Sequence, residues 1–183
     1  MQVTELEIPG LLLFEPQVFG DDRGYFMETW NAERYRKAGL DVEFVQTNVS
    51  RSARGVLRGL HFQNPNPQGK LVYVLEGEVW DVAVDIRRGS PDFGRWAGAT
   101  LSKENHHQLY VPPGFAHGFC VMSDYALFGY HCTTVYHGPA DSAVRWDDPA
   151  IGIEWPLENP SLSAKDAAAP LLAELDPERL PEL

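Results

Sequence analysis

The chain has 183 residues, of which 44% are hydrophobic and 22% charged, and this is the composition of one ordinary globular domain. A net charge of -11 excludes a general nucleic-acid surface, which requires clustered lysine and arginine. The sequence shows no apolar run as long as a membrane span and no signal-peptide core, so we expect a cytoplasmic protein without membrane contact. Cys120 and Cys132 fit buried free thiols in a reducing compartment.

The first fifty residues predict short strands and one helix. Residues 2–19 form short strands interrupted by prolines, and residues 21–24 have the composition of a turn. Asn31 caps a predicted helix over residues 32–38, which ends at Gly39. A further strand is predicted over residues 42–49, and alternation places Gln46 and Asn48 on one of its faces.

The middle of the chain alternates short strands with Gly and Pro turns. In the clearest strand Trp80 and Val82 alternate with Asp81. Strands are predicted over residues 71–75, 79–86, 96–101, 108–111, 118–122, 126–134 and 143–146. Such regular spacing predicts an all-β, closed antiparallel architecture, a jelly roll or barrel.

The end of the chain has no strand pattern. A short helix capped by Ser163 or Asp166 is predicted there, followed by a loose tail rich in Pro and Glu. We therefore predict one domain, residues 1–183, with strands and a helix over 1–50, a barrel core over 51–146 and an irregular or helical segment over 147–183.

One stretch, residues 55–70, concentrates side chains with chemical potential. Arg58 can bind an anion, His61 can move a proton and Lys70 can stabilise a developing negative charge. A solvated basic strand edge explains the same residues equally well. In an unbroken strand Arg58 and His61 point to opposite faces, so both line one pocket only if Gly59 marks a bulge or the strand lies at the pocket mouth.

A metal site is the first chemical alternative. His61, His117 and a carboxylate from Glu76 or Glu78 would supply at most three ligands, because residue 63 is Gln where a second histidine would complete the pair. A Gln amide is a poor ligand for a transition metal, so the sequence favours a metal-free site.

Acid–base chemistry is the second alternative. A histidine base needs an acceptor for its other ring nitrogen, and Asp166 is a candidate, as is Tyr130 for the opposing acid. Each residue also has an ordinary structural explanation, a helix cap for Asp166 and a core tyrosine for Tyr130.

Ordered motifs over about residues 8–169 resemble those of the dTDP-4-dehydrorhamnose 3,5-epimerase family. They include FGDDRGYFMETW, FVQTNVSRS, GVLRGLHFQ, VPPGFAHGF and LSAKD. The resemblance implies a cupin-type jelly roll, a homodimer, no cofactor and no metal. It also implies a dTDP-linked 4-keto-6-deoxyhexose as substrate, with epimerisation at C3 and C5.

The resemblance further implies roles for individual residues. His61 matches the catalytic base, Asp166 its carboxylate partner, Tyr130 the acid and Lys70 the lysine beside the 4-keto oxygen. The matching substrate-binding positions are Arg23, Glu28, Gln46, Thr47, Asn48, Arg58, His117, Tyr136, Asp141 and Lys165. Among these, the two arginines match diphosphate ligands, and Tyr136 matches a ring that stacks on thymine. Asp141 departs from the pattern, since many members have Glu there.

Three other functions stay open at this point. A mono-epimerase of the same family would act at C3 or C5 alone, and a metal-dependent cupin would use the histidines as ligands. A binding module without catalysis is the third, although binding alone needs no pair of base and acid.

Overall fold

The computed structural model describes all residues, Met1–Leu183, and is built mainly from strands. The strands are β1 (Gln2–Glu5), β2 (Leu12–Glu15), β3 (Val18–Asp21), β4 (Gly24–Met27), β5 (Gln46–Ala53), β6 (Leu57–Gln63), β7 (Lys70–Glu76), β8 (Glu78–Asp85), β9 (Trp96–Ser102), β10 (Gln108–Val111), β11 (Phe115–Val121), β12 (Tyr125–Cys132) and β13 (Asp141–Ala143). The helices are α1 (Ala32–Lys37) and α2 (Ala164–Ala167), with single 3-10 turns at Gly138–Ala140, Leu172–Glu174 and Pro177–Arg179.

Two antiparallel sheets face each other. One has the order β1-β2-β10-β7-β12-β5 and the other the order β13-β6-β11-β8-β9, while β3 and β4 form a separate hairpin. The predicted all-β jelly roll is confirmed. None of the helices is both long and apolar enough to cross a membrane.

The largest buried cluster lies between the sheets, where Phe115, Phe119 and Phe128 pack together. Two smaller clusters cover the outer faces. The first, around Phe14 and Tyr35, packs α1 onto the six-stranded sheet. The second packs the C-terminal segment onto the five-stranded sheet and contains residues of β8, in agreement with the alternation predicted for that strand. The apolar positions of the strands therefore face both the interior and these two outer layers.

Several predicted boundaries change in the structure. The helix of residues 32–38 is confirmed, with the Asn31 side chain accepting from the N–H of Arg34. The strand predicted over 42–49 begins only at Gln46, where pairing with β12 starts. The strand expected at 118–122 begins at Phe115 and so contains His117. The last predicted strand, residues 143–146, shifts to residues 141–143. Alternation identifies strands well, but it does not show where pairing begins.

The prediction of a loose C-terminal tail is wrong. Leu172 and Leu180 are buried against the five-stranded sheet. The N–H of Leu172 donates to Asp148 Oδ2 at 2.7 Å. The apolar residues that are spaced along this segment supply the anchors, although the segment lacks a regular period.

Gly59 forms a β-bulge, one of the arrangements that allow Arg58 and His61 to share a pocket. His61 lies opposite His117 while Arg58 lies opposite Phe119, so three steps on β6 face two on β11. The φ angle of Gly59 is 123°, and a Cβ there would lie 2.6 Å from the Cα of Gly118. Only glycine fits this position, and the bulge turns Arg58 and His61 toward the same cavity.

Candidate active site

The predicted catalytic residues meet between the two sheets. An inner cavity of about 220 Å³ adjoins an outer one of about 380 Å³, and His61, Lys70 and Tyr130 line both. His61 comes from β6 of the five-stranded sheet, whereas Lys70 and Tyr130 come from β7 and β12 of the other. A molecule bound between the sheets therefore meets the imidazole and the phenol from facing sides.

His61 is held by an aspartate distant in sequence. Its Nε2 lies 2.6 Å from Asp166 Oδ1, and the His61 side chain is 33% exposed while that of Asp166 is 3% exposed. Burial opposes ionisation of Asp166, but hydrogen bonds from His61 and Ser163 and attraction to His61 hold its pKa below the ordinary value. An ionised Asp166 accepts the proton on Nε2 and leaves Nδ1 as the free basic nitrogen.

The helix cap at this site is Ser163 and not Asp166. The Ser163 side chain accepts from the N–H of Asp166 at 3.1 Å, at the start of α2. The cap fixes the short helix, and the helix aims the Asp166 carboxylate at His61. The structural explanation of Asp166 as the cap is therefore wrong.

A second histidine–aspartate pair lies deeper. His117 stands opposite His61 on the neighbouring strand, and its Nε2 lies 2.9 and 3.0 Å from the two carboxylate oxygens of Asp81. Both side chains are buried. Burial raises the pKa of Asp81, against the opposing attraction of His117 and Lys70. Asp81 was not among the predicted site residues, although an acidic residue within the apolar strand β8 was a signal for a buried partner.

Lys70 and Tyr130 carry pKa shifts of opposite sign. Burial lowers the pKa of Lys70, partly offset by attraction to Cys132, Asp81 and Asp141. Burial raises the pKa of Tyr130, so its phenol stays protonated and able to donate. The pair can thus supply a positive charge and a proton in the same cavity.

The predicted substrate-binding positions that reach the site divide between the two cavities. Arg58 lines the inner one, and its Nε donates to Ser52 Oγ at 2.9 Å, a support that the sequence analysis missed. His117 also lines the inner cavity. The outer cavity is lined by Gln46, Asn48, Tyr136, Asp141 and Lys165.

Asp141 links two of its neighbours at the outer cavity. Its Oδ2 accepts from the Tyr136 hydroxyl at 3.1 Å and from Lys165 Nζ at 2.5 Å. The shorter Asp side chain therefore still reaches both groups.

Three predicted positions do not reach the cavity of this chain. Arg23 is 89% exposed in the β3–β4 turn and pairs with Asp21. Glu28 accepts from Asn31 at 2.9 Å and pairs with Arg34. Thr47 lies on the outer face of β5, with its Oγ1 2.9 Å from His131 Nδ1. Alternation along β5 explains the last case, because Gln46 and Asn48 point the other way.

The ligand set of the metal alternative is not assembled. No group of three or more His, Cys, Asp or Glu side chains lies close enough to hold a metal ion. Glu76 pairs with Lys103 at 3.5 Å and is exposed, as is Glu78. Neither carboxylate joins His61 and His117.

A jelly roll whose facing sheets carry a histidine–aspartate pair, a phenol and a partly buried lysine has the groups that an acid–base isomerase needs. Residues 5–174 match the sequence profile of the dTDP-4-dehydrorhamnose 3,5-epimerase family. The chain belongs to this family, and the family prediction is confirmed.

Individual relatives agree along nearly the whole chain. The dTDP-4-dehydrorhamnose 3,5-epimerase of Shigella flexneri is 55% identical over 168 residues, covering 91% of this chain and 93% of the relative. The crystal structure of dTDP-6-deoxy-D-glucose-3,5-epimerase RmlC from Legionella pneumophila, in complex with dTDP-4-keto-L-rhamnose, has a TM-score of 0.97 at 51% identity and covers 100% of this chain and 98% of that one. ChmJ, a 3'-monoepimerase from Streptomyces bikiniensis in complex with dTDP-quinovose, has a TM-score of 0.90 at 37% identity, covering 100% and 93%.

Proposed function

We propose that this chain converts dTDP-4-dehydro-6-deoxy-D-glucose to dTDP-4-dehydro-L-rhamnose, the 3,5-epimerisation of dTDP-L-rhamnose biosynthesis. The observation that carries the proposal is the meeting of His61, Lys70 and Tyr130 around one cavity, with Asp166 behind the base. Relatives above 50% identity that bear the name dTDP-4-dehydrorhamnose 3,5-epimerase support it.

The chemistry follows from the ketone at C4. A ketone acidifies the protons on both neighbouring carbons, so C3 and C5 are the positions that a base can invert. His61 removes a proton to give an enolate, and Lys70 stabilises the negative charge on O4. Tyr130 then donates a proton from the facing sheet, which inverts the centre. The same steps at the second carbon complete the reaction without a redox change.

The nucleotide supplies binding energy away from the reacting carbons. Arg58 presents a guanidinium fork for the diphosphate, a geometry that suits phosphate oxygens. Tyr136 provides a ring for the thymine, and Gln46, Asn48 and Lys165 line the same outer cavity. These contacts hold the sugar beside His61, so the binding energy of the nucleotide orients the reacting carbons toward the base.

A homodimer is part of the proposal. The β3–β4 hairpin stands outside both sheets and exposes Phe19, Tyr25 and Phe26 at 52%, 55% and 66%. β5 is the open edge of the six-stranded sheet. A second copy that covers this hairpin and edge would bury the apolar rings and bring Arg23 and Glu28 to the neighbouring cavity. We place the protein in the cytoplasm because its two cysteines are buried and free. The net charge of -11 argues against nucleic acid as a partner.

The test is turnover of dTDP-4-keto-6-deoxyglucose in deuterated water, with mass spectrometry of the product. A 3,5-epimerase incorporates two solvent deuterons at carbon, one at C3 and one at C5. A single deuteron would show a mono-epimerase, the activity named for ChmJ. Turnover that a chelator abolishes and added metal restores would favour the metal-dependent alternative. No turnover at all would overturn the proposal.

A further inference from the structure

Gln63 lies two positions after His61 on β6, but it lines neither cavity. The residue is 4% exposed, and its amide is engaged on both ends. Oε1 accepts from the N–H of His137 at 2.8 Å, while Nε2 donates to the carbonyl of Val135 at 3.3 Å and to that of Asn66 at 2.6 Å. A buried amide satisfied in this way specifies one arrangement of the chain around it.

Two of these partners, the N–H of His137 and the carbonyl of Val135, belong to the residues on either side of Tyr136. This residue lies in a stretch without sheet pairing, between the end of β12 at Cys132 and the turn that begins at Gly138. The Tyr136 side chain is 60% exposed, so packing does not fix its ring. The orientation of the ring therefore depends on the bond from its hydroxyl to Asp141 Oδ2, at 3.1 Å, and on the backbone bonds around it. Gln63 makes the backbone bonds on either side of Tyr136.

Two further glutamines hold the same stretch. Gln46 Oε1 accepts from the N–H of Tyr136 at 2.8 Å, and Gln68 Nε2 donates to the carbonyl of Thr134 at 2.6 Å. Gln46 and Gln68 line the outer cavity, whereas Gln63 does not. Gln63 is thus the member of this set whose contribution to binding must act through Tyr136.

We infer that Gln63 is a positioning residue for substrate binding, which sets the Tyr136 ring at the mouth of the outer cavity. The ring is then already ordered when the nucleotide base binds. The inference rests on the proposed function, because it assigns Tyr136 to the thymine. It predicts that Gln63 governs affinity for the nucleotide and leaves proton transfer to His61, Lys70 and Tyr130.

The experiment is a double-mutant cycle with thymidine diphosphate as the probe, measured by titration calorimetry. Q63L fills a similar volume and removes all three hydrogen bonds. It should weaken binding about tenfold in the wild-type background, the lower range of what lost stacking costs, and less than about twofold in the Y136A background. Equal losses in the two backgrounds, or an unchanged affinity of Q63L, would overturn the inference.

T134V is the matched control. Thr134 lies in the same stretch, and its hydroxyl donates to the carbonyl of Pro67 at 2.9 Å without touching the peptides that flank Tyr136. T134V should bind thymidine diphosphate within about twofold of wild type, as removal of a bond remote from the ring predicts. A tenfold loss in T134V would show that any loosening of the stretch has the same effect, which contradicts a specific role for Gln63.

Q63E serves if Q63L does not fold. Its ionised carboxylate keeps the acceptor for His137 but faces two carbonyl oxygens, and protonation restores one donor. Burial raises the pKa of such a carboxyl, so the affinity deficit relative to wild type should shrink between about pH 8 and about pH 6. A constant deficit over this range would contradict the inference.

Turnover separates this inference from the proposed function. In the substrate assay Q63L should raise KM about tenfold and change kcat less than threefold, because the acid–base groups are untouched. A wild type that binds thymidine diphosphate but turns over no substrate would overturn the proposed function alone, and the cycle would still decide on Gln63.

Discussion

The two histidine–aspartate pairs, His61–Asp166 and His117–Asp81, use the same side chains at different depths of one barrel. His61 is 33% exposed and its partner comes from α2, outside the sheets. His117 is 8% exposed and its partner comes from the adjacent strand β8. A base must pass its proton onward, which an exposed ring allows. A buried ring fixed by a carboxylate is better suited to hold one orientation and donate. Depth within the barrel, and not residue type, separates the two roles that we propose for His61 and His117.

The largest expected difference between the two pairs is the effect on kcat of replacing each aspartate. D166N should lower kcat about 10³-fold, since an amide no longer fixes the tautomer of the His61 base. D81N, the matched change at the buried pair, should lower kcat less than about tenfold, because Asp81 hydrogen-bonds His117 and affects Lys70 only by electrostatic attraction. Steady-state kinetics on both variants checks this. Similar losses in the two variants would abolish the distinction drawn from depth.

The stability of D166N gives a second test of the His61–Asp166 pair. The pKa of Asp166 lies below its ordinary value of 3.8 in the folded chain, so its ionised form stabilises the fold above that pH. The stabilisation is lost as the pH falls through the folded pKa. Denaturation at neutral pH should find D166N less stable than wild type, and the gap should close in acid. A gap that widens in acid would contradict the assignment of an ionised Asp166.

A smaller effect concerns Lys70, which lines the inner cavity together with His61 and His117. Because burial holds the pKa of Lys70 below its ordinary value of 10.5, its positive charge should be lost at a lower pH than for a free lysine. The alkaline limb of kcat should therefore fall below pH 10.5. The pKa of Tyr130 is raised above 10.0, so ionisation of this phenol does not produce a fall in kcat below pH 10.0.

K70R is the control for this pH profile. Arginine keeps its charge at all accessible pH, so the limb should move to higher pH even if the rate itself is lower. A limb that stays in place in K70R would assign it to another group.

Much of the fold was predictable because alternation and turn residues are local signals. The bulge at Gly59 was one of two predicted ways for Arg58 and His61 to share a cavity, the other being a strand at the pocket mouth, and the register of β6 against β11 shows the bulge. Family motifs supplied the catalytic set. The pairing of His61 with Asp166 spans 105 positions, and the residues alone favoured a helix cap for Asp166. Only packing decides such a case, because it determines which polar group reaches His61.

Three other features were not predicted, because they also depend on packing between distant parts of the chain. Alternation put Asp81 opposite Trp80, but it did not show that this face of β8 looks into the barrel toward His117. Gln63 drew attention as a missing metal ligand, whereas its amide binds the backbone around Tyr136. The C-terminal segment lacks a period, so burial of Leu172 and Leu180 had no local signal.

The measurement that tests the central claim most directly is solvent deuterium exchange into the sugar by H61N and H117N, followed at C3 and C5 by NMR. The account predicts that H61N loses exchange at both carbons by about 10⁴-fold, the upper range for a single general base. H117N should keep exchange at both carbons within about tenfold of wild type, as a group that only orients substrate would. Retained exchange in H61N, or its abolition in H117N, would contradict the assignment of His61 as the base for both carbons.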